Sequence, residues 1–155
     1  MKESKRGKHV LNLAKRIIKQ LKPFIRRIQV AGSIRRKELN PRDIDLVLIP
    51  KDKEKIRQFL GKKGRFVQGG EKKARFRIEG VKVELYYTIP EEWGAALLAY
   101  SSRKGAGIGL RIVARTKGFK LSQHGLFRKG KRVAGKTEQE IYKSLGRPWK
   151  SPEKR

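Results

Sequence analysis

Apolar residues along this chain switch between two periods, and the switch points mark the elements. Residues 9–21 place Val10, Leu13, Ala14, Ile17, Ile18 and Leu21 on one side, with Lys15, Arg16 and Lys19 opposite. That spacing predicts an amphipathic helix, which Pro23 ends or redirects. Ile28-Gln29-Val30-Ala31 predicts a short strand feeding a Gly32-Ser33 turn, and Ile44 to Ile49 a buried strand closed by Pro50. Residues 52–60 predict a short helix with Ile56, Phe59 and Leu60 inward. Arg65 to Val67 and Ala74 to Ile78 predict strands joined by the turn Gly69-Gly70-Glu71-Lys72-Lys73. From Val81 to Tyr86 the period is two, with Val81, Val83 and Leu85 on one face and Lys82, Glu84 and Tyr86 on the other.

After Pro90 the texture changes. Glu91 to Tyr100 predicts a helix with Glu91 and Glu92 at its dipole-favoured start, and Ile108 to Lys117 a second. Gly105, Gly107 and Gly109 lack the preceding strand and acidic partner of a dinucleotide site, so they predict a flexible helix start. Short strands follow around Lys120-Leu121, Leu126-Phe127 and Lys131 to Val133. Thr137 and Glu140 have capping-box spacing for a last helix. The expected organisation is a lobe over 1–90, a second over 91–148, and a loose basic tail over 149–155.

Charge sharpens the picture. Lysine and arginine number 42 against 14 acids, for a net charge of +28. The excess runs through both halves: residues 1–90 hold 26 basic and 9 acidic side chains, and residues 91–155 hold 16 and 5. Balanced Lys/Glu pairing would indicate a solvated surface; scarce acids point instead to a polyanionic partner such as nucleic acid. The absence of cysteine excludes disulfides, thiolate metal sites and cysteine nucleophiles. No apolar run approaches a membrane span and the start lacks a signal-peptide core, so an intracellular protein is expected, in cytoplasm or nucleoid or associated with a virion.

Against that basic background, Asp43 and Asp45 stand out. Residues i and i+2 of a strand share a face, so both carboxylates project side by side from one strand start. Two such charges repel unless neutralised, and Mg²⁺ with oxygen ligands is the usual answer. Gly32, Ser33 and Arg36 form a donor-rich turn upstream, with Arg36 suited to grip β- and γ-phosphates bidentately. Arg35 and Arg42 are alternatives or nucleic-acid contacts. Acids, turn and cations together indicate a nucleotidyltransferase. Lys72, Lys73, Arg75 and Arg77 form a basic strand-turn-strand expected to track a primer or template backbone. Trp93 and Trp149 are expected in packing roles, and neither His9 nor His124 indicates a metal site.

The ordered motifs Val30-Ala31-Gly32-Ser33-Ile34-Arg35-Arg36 with Asp43-Ile44-Asp45, Val83-Glu84-Leu85-Tyr86 with Glu92-Trp93-Gly94, Leu110-Arg111 through Lys117-Gly118-Phe119-Lys120-Leu121 with Gly125-Leu126-Phe127, and Ala134-Gly135-Lys136-Thr137-Glu138 with Leu145-Gly146-Arg147-Pro148 complete the reading. From about Val10 to Pro148 the chain resembles the family X DNA polymerases, the group that includes DNA polymerase beta. The resemblance implies an α+β fold: a nucleotidyltransferase palm, with a mixed sheet and helices on one side, plus a small C-terminal α/β lobe facing nucleotide and template. It implies two Mg²⁺ ions, or Mn²⁺ in their place, held by Asp43, Asp45 and a third carboxylate at Glu84, where the family pattern has Asp. Glu79 is a conceivable substitute. Arg111 matches a position that touches the nascent pair or template. Tyr100 is the single aromatic left where the family presents a pair that reads the sugar. The implied reaction is nucleotidyl transfer from nucleoside triphosphates to a primer 3′-hydroxyl on gapped or nicked DNA in short-gap repair, by a monomer. Two alternatives remain: a template-independent transferase extending DNA or RNA ends, and a catalytically weak nucleic-acid-binding protein of the same fold.

Overall fold

The computed structural model describes residues 2–155. The chain divides after Thr88 into two compact units. Among the described residues, no helix is long and apolar enough to cross a membrane.

The first unit is a five-stranded sheet with two long helices on one face. Helix α1 (Lys5–Leu21) starts four residues ahead of the apolar pattern because Ser4 caps it, its side chain accepting from the Gly7 amide. Strand β1 (Ile25–Val30) leads into α2 (Gly32–Arg35), a single turn, and then into β2 (Ile44–Pro50). Asp52 caps α3 (Lys53–Lys63) by accepting from the Lys55 amide. Strands β3 (Arg65–Gly69), β4 (Lys73–Ile78) and β5 (Val81–Tyr87) complete the sheet. Their order is β1-β2-β5-β4-β3, with β2 parallel to β5 and the remaining pairs antiparallel.

Periodicity decides which face is covered. Ile44, Leu46 and Leu48 of β2, Val81, Val83 and Leu85 of β5, and Ala74, Phe76 and Ile78 of β4 meet Val10, Leu13 and Ile17 of α1 and Ile56 and Leu60 of α3 in one core. Fully burying a side chain such as Phe76 stabilises by about 2–3 kcal/mol. The alternating residues of β4 and β5, together with Asp45 of β2, are left on the opposite face. The fold class is the mixed α+β arrangement expected from the sequence.

The second unit combines helices α4 (Trp93–Ser101), α5 (Lys104–Thr116) and α6 (Glu138–Ser144) with the antiparallel sheet β6 (Lys120–Ser122), β7 (Gly125–Arg128) and β8 (Lys131–Ala134). Ala95, Leu98, Ala114, Leu126, Ile141 and Leu145 form its core. Helix α5 starts at Lys104, so the three glycines lie within a helix rather than ahead of one. The capping box is present. Thr137 Oγ1 accepts from the Glu140 amide at 3.1 Å, and Glu140 Oε2 accepts from the Lys136 amide at 3.2 Å. Thr137→Ala is expected to lower stability by about 1 kcal/mol, measured as a lower midpoint in thermal or urea unfolding.

Residues 149–155 do not form the loose tail their charge predicts. Pro152 is buried within a 3-10 turn over Pro152–Lys154, and the Arg155 side chain pairs with the buried Glu138 at 2.8 Å. A buried carboxylate requires a partner, and the segment folds back to supply one.

Candidate active site

Strand register builds the site. In the parallel β2–β5 pair, Asp45 stands opposite Glu84. In the antiparallel β4–β5 pair, Glu84 stands opposite Arg75, with Arg77 opposite Lys82 and Lys73 opposite Tyr86. Lys82, Glu84 and Tyr86 therefore form one row on the open face, flanked by the acids of β2 and the cations of β4.

The side chains make a connected network. Tyr86 Oη donates to Glu84 Oε2 at 2.6 Å and lies 3.2 Å from Asp45 Oδ1. Arg75 holds Glu84 Oε1 through Nε at 3.0 Å and Nη2 at 2.7 Å. Lys82 Nζ lies 3.6 Å from both Asp43 Oδ2 and Glu84 Oε1. Tyr86 and Lys82 thus link the three acids, although neither was assigned a role from sequence. The signal for both was present: period two put them on Glu84's face.

The two best-buried acids are pushed in opposite directions. Burial raises the Asp45 pKa, and the nearby Glu84 charge raises it further against the Tyr86 hydrogen bond. Burial also works upward on Glu84, but the hydrogen bonds from Tyr86 and Arg75 overcome it and hold this carboxyl below its ordinary range. Burial and the two acids push the Tyr86 phenol far up, so it stays protonated and donates.

Gly32 sets how closely the turn approaches the acids. Its φ of +56° is left-handed, and a Cβ there would collide with the Asp45 carboxylate. The Asp45 carbonyl also accepts from the Ala31 amide at 2.8 Å, tying turn to strand. Ser33 follows in α2, and Arg36 is engaged by Glu38, with Nη2 to Oε2 at 2.7 Å. Glu79 belongs to a different place. It occupies the β4–β5 turn at φ +50° and takes a bidentate pair from Arg16 of α1 at 3.0 Å, so it is no substitute for Glu84.

Beside Glu84, a cavity of about 390 Å³ runs under the β3–β4 turn, lined among others by Gln68, Gly69, Lys72, Lys73 and Arg75. The hairpin cations thus border the acidic row, while Arg77 Nη1 donates to the Gly80 carbonyl at 3.3 Å. Tyr100 lies in the last turn of α4 and Arg111 is exposed on α5, both in the second unit. His124 of that unit is 2.6 Å from Glu92, which also pairs with Arg132 at 2.8 Å.

Among the described residues, no three acidic or imidazole side chains are grouped as a metal cage. This departs from the expected convergence of Asp43, Asp45 and Glu84, and the reason is chemical: Glu84 is bonded by Arg75. The Asp43–Asp45 pair nevertheless fits a hard divalent cation. Its donors are carboxylate oxygens on one strand start, and Asp45 is held against burial and a neighbouring negative charge, a penalty that a bound cation relieves. Glu84 joins that donor set when Arg75 turns away.

Comparison with known proteins agrees with this arrangement. The DNA polymerase beta thumb family matches residues 96–155. The chain is 30% identical over 147 residues to proteins called Repair DNA polymerase X in two isolates of African swine fever virus, covering 87% of this chain and 84% of each relative. It is also 38% identical over 65 residues to DNA polymerase IV of Saccharomyces cerevisiae, covering 42% of this chain and 11% of that protein. With identity running across both units and through the strands that carry the acids, the chain belongs to the family X DNA polymerases.

Proposed function

We propose that this protein is a template-directed DNA polymerase that extends a primer 3′-hydroxyl in short-gap repair synthesis. The observation that carries the reading is the β2–β5 register, which sets Asp45 directly opposite Glu84 on an open face bordered by basic side chains. Acids at the floor of a cationic surface serve no purpose in phosphate binding alone, since they repel it. They suit phosphoryl transfer, in which positioning and charge stabilisation supply most of the catalysis.

Asp43 and Asp45 would hold two Mg²⁺ ions, or Mn²⁺ in their place, with Glu84 as the third ligand. When bound, such ions neutralise charge on the triphosphate and lower the pKa of the attacking hydroxyl. The chain's own residues do the rest. Gly32 lets the turn lie against Asp45, and the Ser33 hydroxyl and Arg36 hold the β- and γ-phosphates, with Arg36 exchanging Glu38 for phosphate oxygen. Tyr86 donates its phenolic proton to Glu84 and Asp45, orienting both. Lys72, Lys73 and Arg77 follow the primer or template backbone, and Arg111 contacts the nascent pair. The +28 charge adds salt-dependent attraction to DNA.

Arg75 stands between two roles, as a DNA contact and as the counter-ion of Glu84. Arg75→Gln is therefore expected to tighten Mn²⁺ binding to the free protein about three- to tenfold, read by titration calorimetry. Tyr100 as a lone aromatic gate is expected to discriminate weakly, with deoxy- preferred over ribonucleotide by less than about a hundredfold in single-nucleotide extension.

The reading as a whole is tested by incubating the protein with a gapped duplex, a blunt duplex and a single strand, each with Mg²⁺ or Mn²⁺ and one nucleotide at a time. Incorporation that follows the template base on gapped DNA is the expected result. Untemplated tailing would replace the proposal with a terminal transferase, and retarded but unextended DNA would leave only a binding protein.

A further inference from the structure

A cavity of about 470 Å³ in the second unit lies between α5 and the folded-back C-terminal segment; Gly109, Tyr142, Arg147, Trp149, Lys150 and Arg155 contribute to its wall. Arg155 is unusual among its cations. Its side chain is 1% exposed, with Nη1 on Glu138 Oε2 at 2.8 Å and Nε on the Lys150 carbonyl at 2.8 Å. The guanidinium carbon is 5.7 Å from the centroids of both the Tyr142 and Trp149 rings. The third nitrogen, Nη2, is buried and has no hydrogen-bond partner.

A buried guanidinium N–H without an acceptor forfeits its hydration for nothing. The missing acceptor has a predictable sign. Glu138 balances Arg155, but Arg147 and Lys150 on the same wall have no ion pair among the described residues. Two uncompensated cations and one spare guanidinium donor converge on a space bordered by an exposed indole, Trp149 being 41% exposed. Gly109 keeps the α5 side free of any side chain, and a Cβ there would meet nothing within 4 Å, so packing does not demand glycine at that position.

We propose that this cavity binds the phosphate monoester of a nucleotide. A tetrahedral dianion offers several acceptor oxygens to forked and single cationic donors, and the indole offers a face for the attached base or sugar. The phosphate is carried either by a nucleic-acid strand end or by a free mononucleotide. The site lies apart from Asp43, Asp45 and Glu84 in the chain and does not rest on the polymerase reading, so its loss would leave catalysis in the first unit untouched.

The test is fluorescence anisotropy of the full chain with short single strands bearing a terminal phosphate at one end and the dye at the other. Controls are the same strand ending in hydroxyl and a hydroxyl-ended strand one nucleotide longer, which adds a backbone charge without a monoester. The phosphorylated strand is expected to bind about tenfold tighter than the hydroxyl strand at equal salt, and the longer strand should not reproduce the gain. If the ligand is the free nucleotide, adenosine 5′-monophosphate instead quenches tryptophan fluorescence, and Trp149→Phe removes the response. Arg155→Gln should abolish either signal. Because that change leaves Glu138 buried without its cation, Lys150→Ala serves as the second variant and should reduce the signal severalfold with the Arg155–Glu138 pair retained. Equal binding of phosphorylated and longer hydroxyl strands with no mononucleotide response, or full signal in a folded Arg155→Gln and in Lys150→Ala, would overturn the assignment.

Discussion

Asp45→Asn is expected to cut nucleotide incorporation by about a thousandfold, the scale of several kcal/mol of metal-mediated charge stabilisation, while making the protein more stable. The two effects have opposite signs because they have one cause. Asp45 is buried, faces Glu84 across the β2–β5 pair and has a raised pKa, so its charged form is disfavoured in the folded protein. Asparagine keeps the oxygen that meets the Tyr86 hydroxyl and removes the charge, which relieves folding and deprives a divalent cation of its ligand. The pH dependence follows from the direction of the shift. A carboxyl whose folded pKa is raised favours folding most below its unfolded pKa, and that contribution is lost as pH rises through the folded pKa. Glu84, with a lowered pKa, does the reverse: its contribution is present above the ordinary glutamate range and lost as pH falls through the folded value. Denaturant midpoints from weakly acidic to neutral pH, for wild type and Asp45→Asn, separate the two. A variant that retains wild-type incorporation would remove Asp45 from the site, and one less stable than wild type at neutral pH would contradict the charge penalty.

Gly32→Ala should damage both fold and chemistry. Alanine at φ +56° is strained, and its methyl group would occupy space held by the Asp45 carboxylate. Left-handed strain costs about 1–2 kcal/mol, and displacing a half-buried carboxylate from its tyrosine partner adds to that, so a loss of about 2–3 kcal/mol is expected. A displacement near 1 Å at a reacting centre costs on the order of a hundredfold in rate. Unfolding midpoints and single-turnover incorporation read the two losses independently. An alanine variant with normal stability but reduced turnover would show that the contact matters to positioning and not to folding.

Several parts of this arrangement were legible in the residues. The apolar positions of residues 10–21 and 81–85 predicted which faces are covered, because burial imposes periods that survive in a linear string. Asp43 and Asp45 were legible for the same reason: a two-residue separation on a strand leaves both side chains on one face whatever the sheet around it. Thr137 and Glu140 announced a helix start through a purely local pair of hydrogen bonds. The glycines at 105–109 misled, since low helix propensity argued for a loop end where unit packing extends α5 back to Lys104.

The residues left open by the sequence are those whose partners lie far along the chain. Arg75 meets Glu84 only because the Glu79–Gly80 turn fixes the β4–β5 register, and a slip of one residue would send Arg75 into the core. Arg155 looked like one more cation in a basic tail until Glu138, seventeen positions away, drew it inside. On its own the sequence determined the fold class, the strand that carries the two aspartates and the cationic surroundings, because local spacing and composition encode these. Only the tertiary structure decided that Glu84 is held by a guanidinium, that Tyr86 joins it to Asp45, and that the C-terminal arginine closes a cavity. Those outcomes depend on strand register and on which buried charge finds a partner, and both are settled by long-range packing.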